Sequence, residues 1–96
     1  MGGLAERLYS AIARIRDPAT GAPAAPLHYT VTIEERGDGT IIIIITPRDP
    51  YSATALTYAE AIKTIASKVE GVKQVIIECR NHIMADLINM RLNQQR

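Results

Sequence analysis

The stretch TIIIIITPRDP, Thr40 to Pro50, runs five isoleucines without a break into a polar corner. β-Branched side chains are stiff at χ1 and favour extended backbone. A short apolar run bounded by turn residues reads as a strand buried on both faces. Side chains alternate along a strand, so Ile41, Ile43 and Ile45 share one face and Ile42 and Ile44 the other. Each isoleucine left in water forgoes about 1.5–3 kcal/mol, so both faces need cover.

Working outward, Leu27 to Arg36 alternates, with Tyr29, Val31 and Ile33 on one side and His28, Thr30, Thr32 and Glu34 on the other. This pattern predicts a half-buried strand. Gly37-Asp38-Gly39 supplies the positive φ of a tight turn, which returns the isoleucine strand antiparallel. Past the corner, Asp49 as N-cap and Pro50 as first helical residue predict a helix running to about Val69. Its buried stripe contains Ala55, Tyr58, Ile62 and Val69, and Gly71 is expected to end it. Val72 to Cys79 predicts a third strand, with Val75, Ile77 and Cys79 opposite Ile76 and Glu78. Asn81 is expected to cap a last helix over 82–95, whose apolar face holds Ile83, Met84, Leu87, Ile88 and Leu92. Ahead of the sheet, Leu4, Leu8, Ile12 and Ile15 predict an amphipathic helix from Leu4 to Arg16, stopped at Asp17-Pro18. The loop DPATGAPAAP, Asp17 to Pro26, carries too much proline for regular structure.

The order α-β-β-α-β-α over 1–96 implies a single α+β domain. It has two layers, a three-stranded mixed sheet with helices packed on it. One helix connects the second and third strands, so they run parallel through a right-handed crossover. The second sheet face, Ile42, Ile44 and Ile76, is expected to be covered either by the last helix or by a second copy. Ile42, Ile44, Ile76, Met84, Leu87 and Ile88 are therefore the expected interface residues of a homodimer.

The totals exclude several classes. Lys and Arg number 11 against 10 Asp and Glu, giving a net charge of +1, and four tyrosines are the whole aromatic content. Such a chain has neither the basic footprint nor the stacking platforms of a nucleic-acid binder. The α-β-β-α-β order overlaps that of a KH-like RNA-binding fold, but the Gly-x-x-Gly loop of that fold is missing between the helices. No apolar run reaches the length of a membrane span. A single cysteine fits a reducing, cytoplasmic setting. No nucleophile–base pair, paired carboxylates or phosphate loop points to an enzyme.

Four features resemble the metal–sulfur (iron–sulfur) cluster assembly domain family, the FSCA-like fold. They are the opening helix running into Asp17-Pro18, the Gly-Asp-Gly hairpin, Thr46 followed by a short turn and a proline, and EGVKQVIIE from Glu70 to Glu78. The resemblance covers about Leu8 to Glu78. It implies an accessory protein that docks to a client metalloenzyme or cluster carrier and holds an iron–sulfur cluster or iron transiently. Asp49 stands where the family has its hallmark cysteine, and a carboxylate is a hard ligand where a cluster takes a soft thiolate. The alternative is an interaction or dimerisation module that has lost metal chemistry.

The candidate metal ligands are Cys79, His82 and Asp49. Asp49 serves otherwise as a helix cap, Cys79 as a small buried hydrophobe, and His82 as a capping-turn residue. Asp17, Thr46, Arg48 and Asp49 cluster in sequence around the two Asp-Pro corners and form the expected binding set. Within it, Arg48 has the chemistry to hold an anion near the start of the second helix.

Overall fold

The computed structural model describes residues 3–93. Along the chain lie α1 (Leu4–Ile12), a single helical turn α2 (Ala24–Leu27), β1 (Tyr29–Glu35), β2 (Thr40–Pro47), α3 (Ala55–Ser67), β3 (Gln74–Cys79) and α4 (Ala85–Asn93). The fold is α+β, with a mixed sheet in the order β1-β2-β3. β1 and β2 are antiparallel, with Val31 opposite Ile45 and Ile33 opposite Ile43. β2 and β3 are parallel, with Ile43 beside Ile77 and Ile45 beside Cys79. The expected extension of the last helix to 95 lies outside the described residues.

Ile41, Ile43 and Ile45 are sealed from water and pack with Leu8 and Ile12 of α1 and with Ala59, Ile62 and Ala66 of α3. Gly39 makes the hairpin possible: its φ is +88°, and a Cβ there would sit 2.9 Å from the Lys73 side chain. The Gly39 carbonyl also accepts the Lys73 N–H, so the turn anchors the start of β3.

Several element boundaries differ from the sequence reading, among them the last helix, which starts at Ala85 rather than directly after Asn81. α1 stops at Ile12 because the chain tightens there, with Arg14 and Ile15 N–H bonding back to Ala11 and Ile12. The proline-rich loop is more ordered than its composition implies, since Asp17 N–H reaches the Ala22 carbonyl and Ala24 N–H the Ile15 carbonyl. Asp49 does not cap α3. Its Oδ1 accepts the Tyr51 N–H at 2.9 Å, closing a turn, and α3 begins only at Ala55. At the other end α3 stops at Ser67, and Gly71, at φ +99°, turns the chain afterwards.

The largest correction concerns the last helix. α4 does not lie across the second sheet face. It runs along the outer edge of β3, held by two asparagines one helical turn apart. Asn89 Oδ1 accepts the Cys79 N–H at 2.6 Å and its Nδ2 donates to the Cys79 carbonyl at 3.1 Å. Asn93 does the same for Ile77, at 2.9 and 2.8 Å. Each side-chain amide thus stands in for one residue of a missing strand, which satisfies an edge that would otherwise pair with another chain. Asn81, at φ +59°, makes the bend that aims α4 along this edge, and its Nδ2 donates to the Pro47 carbonyl. Asparagine is one of the few residues that tolerate that conformation.

Ile88 and Leu92 consequently point into the main core, so Ile88, unlike Met84 and Leu87, offers almost no free surface to a partner. Among the described residues no helix lies over the second face, yet its central isoleucine is largely shielded. Ile44 keeps 8% of its surface, because in register it lies between Thr32 and Glu78. Arg80 Nε donates to Glu78 at 2.7 Å. That pair, reinforced by Glu34, raises the Arg80 pKa. Long charged side chains shield apolar surface in this way while keeping their heads in water. Ile42 and Ile76 are half-buried.

Candidate functional site

The parallel strands β2 and β3 end side by side, and the segments that follow them are laced together. Arg80 N–H donates to the Ile45 carbonyl and Ile83 N–H to the Pro50 carbonyl. His82 supplies the central latch. Its Nδ1 accepts the Met84 N–H at 3.0 Å, and its Nε2 lies 2.8 Å from the Ser52 carbonyl. A carbonyl only accepts and an amide N–H only donates, so the ring is neutral with its proton on Nε2. Both ring nitrogens are thereby committed to the backbone.

The latch holds open a groove of about 600 Å³ between residues 51–56 and α4. Tyr51, Leu56, Ile83, Met84, Leu87 and Met90 line it, with Arg91 at one end. Tyr51 at 70%, Ile83 at 62% and Met90 at 59% are the most exposed large apolar side chains described. The sequence reading placed Met84 and Leu87 in an interface with Ile42, Ile44 and Ile76. The structure separates the two groups, because α4 follows the sheet edge rather than its face. The exposure of Tyr51 and Ile83 depends on how the two loops dock, which no local sequence pattern shows.

The expected metal ligands do not converge. Among the described residues no group of three or more His, Cys, Asp and Glu comes together. Cys79 is buried in the core, and burial pushes its thiol pKa up, so the nucleophilic, metal-binding thiolate is disfavoured. His82 is the latch and Asp49 the Tyr51 cap. Arg48, Asp17 and Asp49 of the expected binding set have local partners. Arg48 donates through Nε and Nη2 to the Pro26 carbonyl, at 3.1 and 2.9 Å, which straps the proline-rich loop to the end of β2. Thr46 pairs with Thr30 on the second face. Asp17 accepts from Thr20 N–H and Oγ1 and pairs with His28 Nε2 at 3.2 Å.

These contacts carry a pH signature. Partial burial of Asp17 works the other way, but the Thr20 hydrogen bonds and the neighbouring His28 outweigh it and lower its pKa from the ordinary 3.8. Hydrogen bonding from Thr40 lowers that of Asp38. The folded protein binds these protons less readily than the unfolded chain does. The stabilisation is therefore present above about pH 4 and lost as pH falls through the folded values. We expect the urea midpoint to drop between about pH 5 and pH 2, and the double variant Asp17→Asn/Asp38→Asn to show a shallower drop. An equal slope in the variant contradicts this account.

A smaller cavity of about 180 Å³ lies under the proline-rich loop, bounded in part by Ile15, Asp17, Ala24, Tyr29 and Tyr58. The Tyr29 and Tyr58 rings stack at 4.0 Å and 7°. Tyr29 Oη meets Thr54 Oγ1 at 2.5 Å, whereas the buried Tyr58 hydroxyl has no hydrogen-bond partner among the described residues. Burial, with Tyr29 adding to it, pushes the Tyr58 pKa up to about 12. An unpaired buried hydroxyl costs about 1–3 kcal/mol. Tyr58→Phe is therefore expected to raise the unfolding free energy by about 1 kcal/mol or more in urea denaturation, and a loss of stability would show that the hydroxyl is satisfied.

No protein-family model matches the chain. It is similar to the uncharacterized protein MJ1129 of Methanocaldococcus jannaschii, 24% identical over 90 residues, which cover 94% of this chain and 95% of the relative. Among the described residues no helix is long and apolar enough to cross a membrane.

Proposed function

We propose that the domain is a non-catalytic protein-interaction module whose groove beside α4 takes the apolar face of a partner's amphipathic helix. The observation that carries this reading is the row Tyr51, Ile83, Met84, Leu87 and Met90, exposed along one groove beside the His82 latch. Contiguous apolar surface of this kind marks interaction sites. Two methionines and an aromatic are the flexible, polarizable lining that helix-binding grooves use. The resemblance of the element order to metal–sulfur cluster assembly domains supports the narrower reading of a docking protein for metal-centre maturation. Anaerobic reconstitution with iron and sulfide tests that reading separately, and a colourless, metal-free product argues against it.

The docking reading is tested by titrating the labelled domain with a neutral amphipathic helical peptide carrying leucines on one face, followed by NMR. Shifts are expected at Tyr51 and at 83–90, and Leu87→Glu, at an exposed position, should weaken binding about tenfold or more. Shifts elsewhere, or unchanged affinity in Leu87→Glu, would overturn the proposal.

A further inference from the structure

The two sheet edges are treated differently. Asn89 and Asn93 close the β3 edge, as described above. The β1 edge is left with its backbone groups facing outward. Arg48 N–H reaches the His28 carbonyl and Arg36 N–H the Thr40 carbonyl, so the even-numbered residues of this segment bond to β2. Tyr29, Val31, Ile33 and Glu35 therefore turn their N–H and C=O groups away from it. Of these, only the Ile33 N–H has a partner among the described residues, the Tyr9 hydroxyl at 3.1 Å.

β1 carries few of the usual guards of an edge, its two charges, Glu34 and Glu35, both falling at one end. The sequence YTVTIEE has no lysine, proline or glycine, and four consecutive β-branched residues favour extended pairing. Val31 and Ile33 are only half-buried on the core side. Beside them a shallow apolar groove of about 280 Å³ runs along the edge, lined by Tyr9, Ala13, Ala25, Pro26 and Val31.

We propose that β1 pairs antiparallel with β1 of a second copy of this chain about a two-fold axis at Thr32, joining two three-stranded sheets into one of six strands. An outward row of amide and carbonyl groups recognises extended backbone, and the strand itself fixes the register. Thr32 is the middle residue of Tyr29–Glu35, so this axis pairs the whole length of the strand. Val31 falls opposite Ile33 of the copy and shares its hydrogen bonds, which buries the half-exposed apolar pair. Thr30 falls opposite Glu34 and Tyr29 opposite Glu35, so no carboxylate faces another. A slip of two residues towards the C-terminus would set Glu34 against itself. Tyr9 guards the edge in the single copy and yields the Ile33 N–H when the strands meet. This surface is separate from the α4 groove.

The register makes the proposal testable by crosslinking. Thr32 turns its own backbone groups inward, so it meets its symmetry mate as a non-hydrogen-bonded pair, with Cα atoms about 4.5 Å apart. Thr30, Thr32 and Glu34 all have exposed side chains, so cysteine variants there should fold, as circular dichroism would check. Under mild oxidation Thr32→Cys is expected to form a disulfide-linked dimer. Thr30→Cys and Glu34→Cys should crosslink only when mixed with each other. The wild-type chain, whose one thiol is buried, is the control. Sedimentation over a wide concentration range should show twice the mass of the chain, lost in Thr32→Lys, which sets like charges on the axis, and kept in Leu87→Glu. A chain that stays monomeric at every concentration overturns the proposal. So does a Thr30→Cys variant that crosslinks to itself as well as Thr32→Cys does, or a dimer that Leu87→Glu dissolves and Thr32→Lys leaves intact.

Discussion

Ile43→Ala is expected to cost about 2–5 kcal/mol of unfolding free energy, while Ile42→Ala, one residue away, should cost a clearly smaller amount. Ile43 has no exposed surface and packs in the main core, whereas Ile42 is half-buried on the face that no helix covers among the described residues. Truncating Ile43 removes its transfer free energy and leaves a cavity between β2 and α3 that a close-packed core relaxes into only partly. At Ile42 the neighbours in register are Glu34 and Ile76, whose side chains border water and can settle into the gap. Paired urea denaturation curves decide the matter. Equal losses at the two positions would mean that the second face is packed as tightly as the first.

The double variant Asn89→Ala/Asn93→Ala is expected to be destabilised by about 3 kcal/mol or more. It strips the partners from four backbone groups, the N–H and C=O of Ile77 and of Cys79. Lost hydrogen bonds cost most where the groups left behind stay buried, and Ile88 and Leu92 still press α4 against this edge. If the helix detaches instead, β3 becomes a free apolar edge, and aggregation should rise with concentration. Hydrogen exchange at Ile77 and Cys79 separates the two outcomes from a third, in which neither protection nor stability changes and the asparagine account fails. Asp replacements discriminate further. A carboxylate still accepts from the N–H but cannot donate to the C=O, so Asn89→Asp should recover only part of the loss.

Much of the architecture was legible in residue spacing. The isoleucine run, the alternation from Tyr29 to Glu35, and the Gly-Asp-Gly turn specify the hairpin, because strand periodicity and positive-φ glycine are local properties. The stripe Ala55, Tyr58 and Ile62 likewise specified the face that α3 buries. The local fate of the polar residues was not legible. Asp49-Pro50 has the chemistry of a helix start, yet Tyr29, across the sheet end, engages Thr54 and the helix begins after it. His82 beside Cys79 has the look of a ligand pair. Its actual partners are the Ser52 carbonyl and the Met84 N–H, one of them thirty positions away.

The sequence by itself determined the order of the three strands and the longer helices, the antiparallel hairpin and which side of each strand faces the helices, since these follow from periodicity and turn chemistry within short windows. Only the tertiary structure decided what α4 covers. An amphipathic helix advertises that it will bury one face, but not against which surface. That choice fell to Asn81, which bends the chain, and to Asn89 and Asn93, whose amides match the spacing of outward N–H and C=O groups on β3. Two asparagines a turn apart carry no hydrophobic signal. Their meaning appears only when a strand edge with unpaired backbone lies within 3 Å or so of them, and the same placement leaves Met84, Leu87 and Met90 in water.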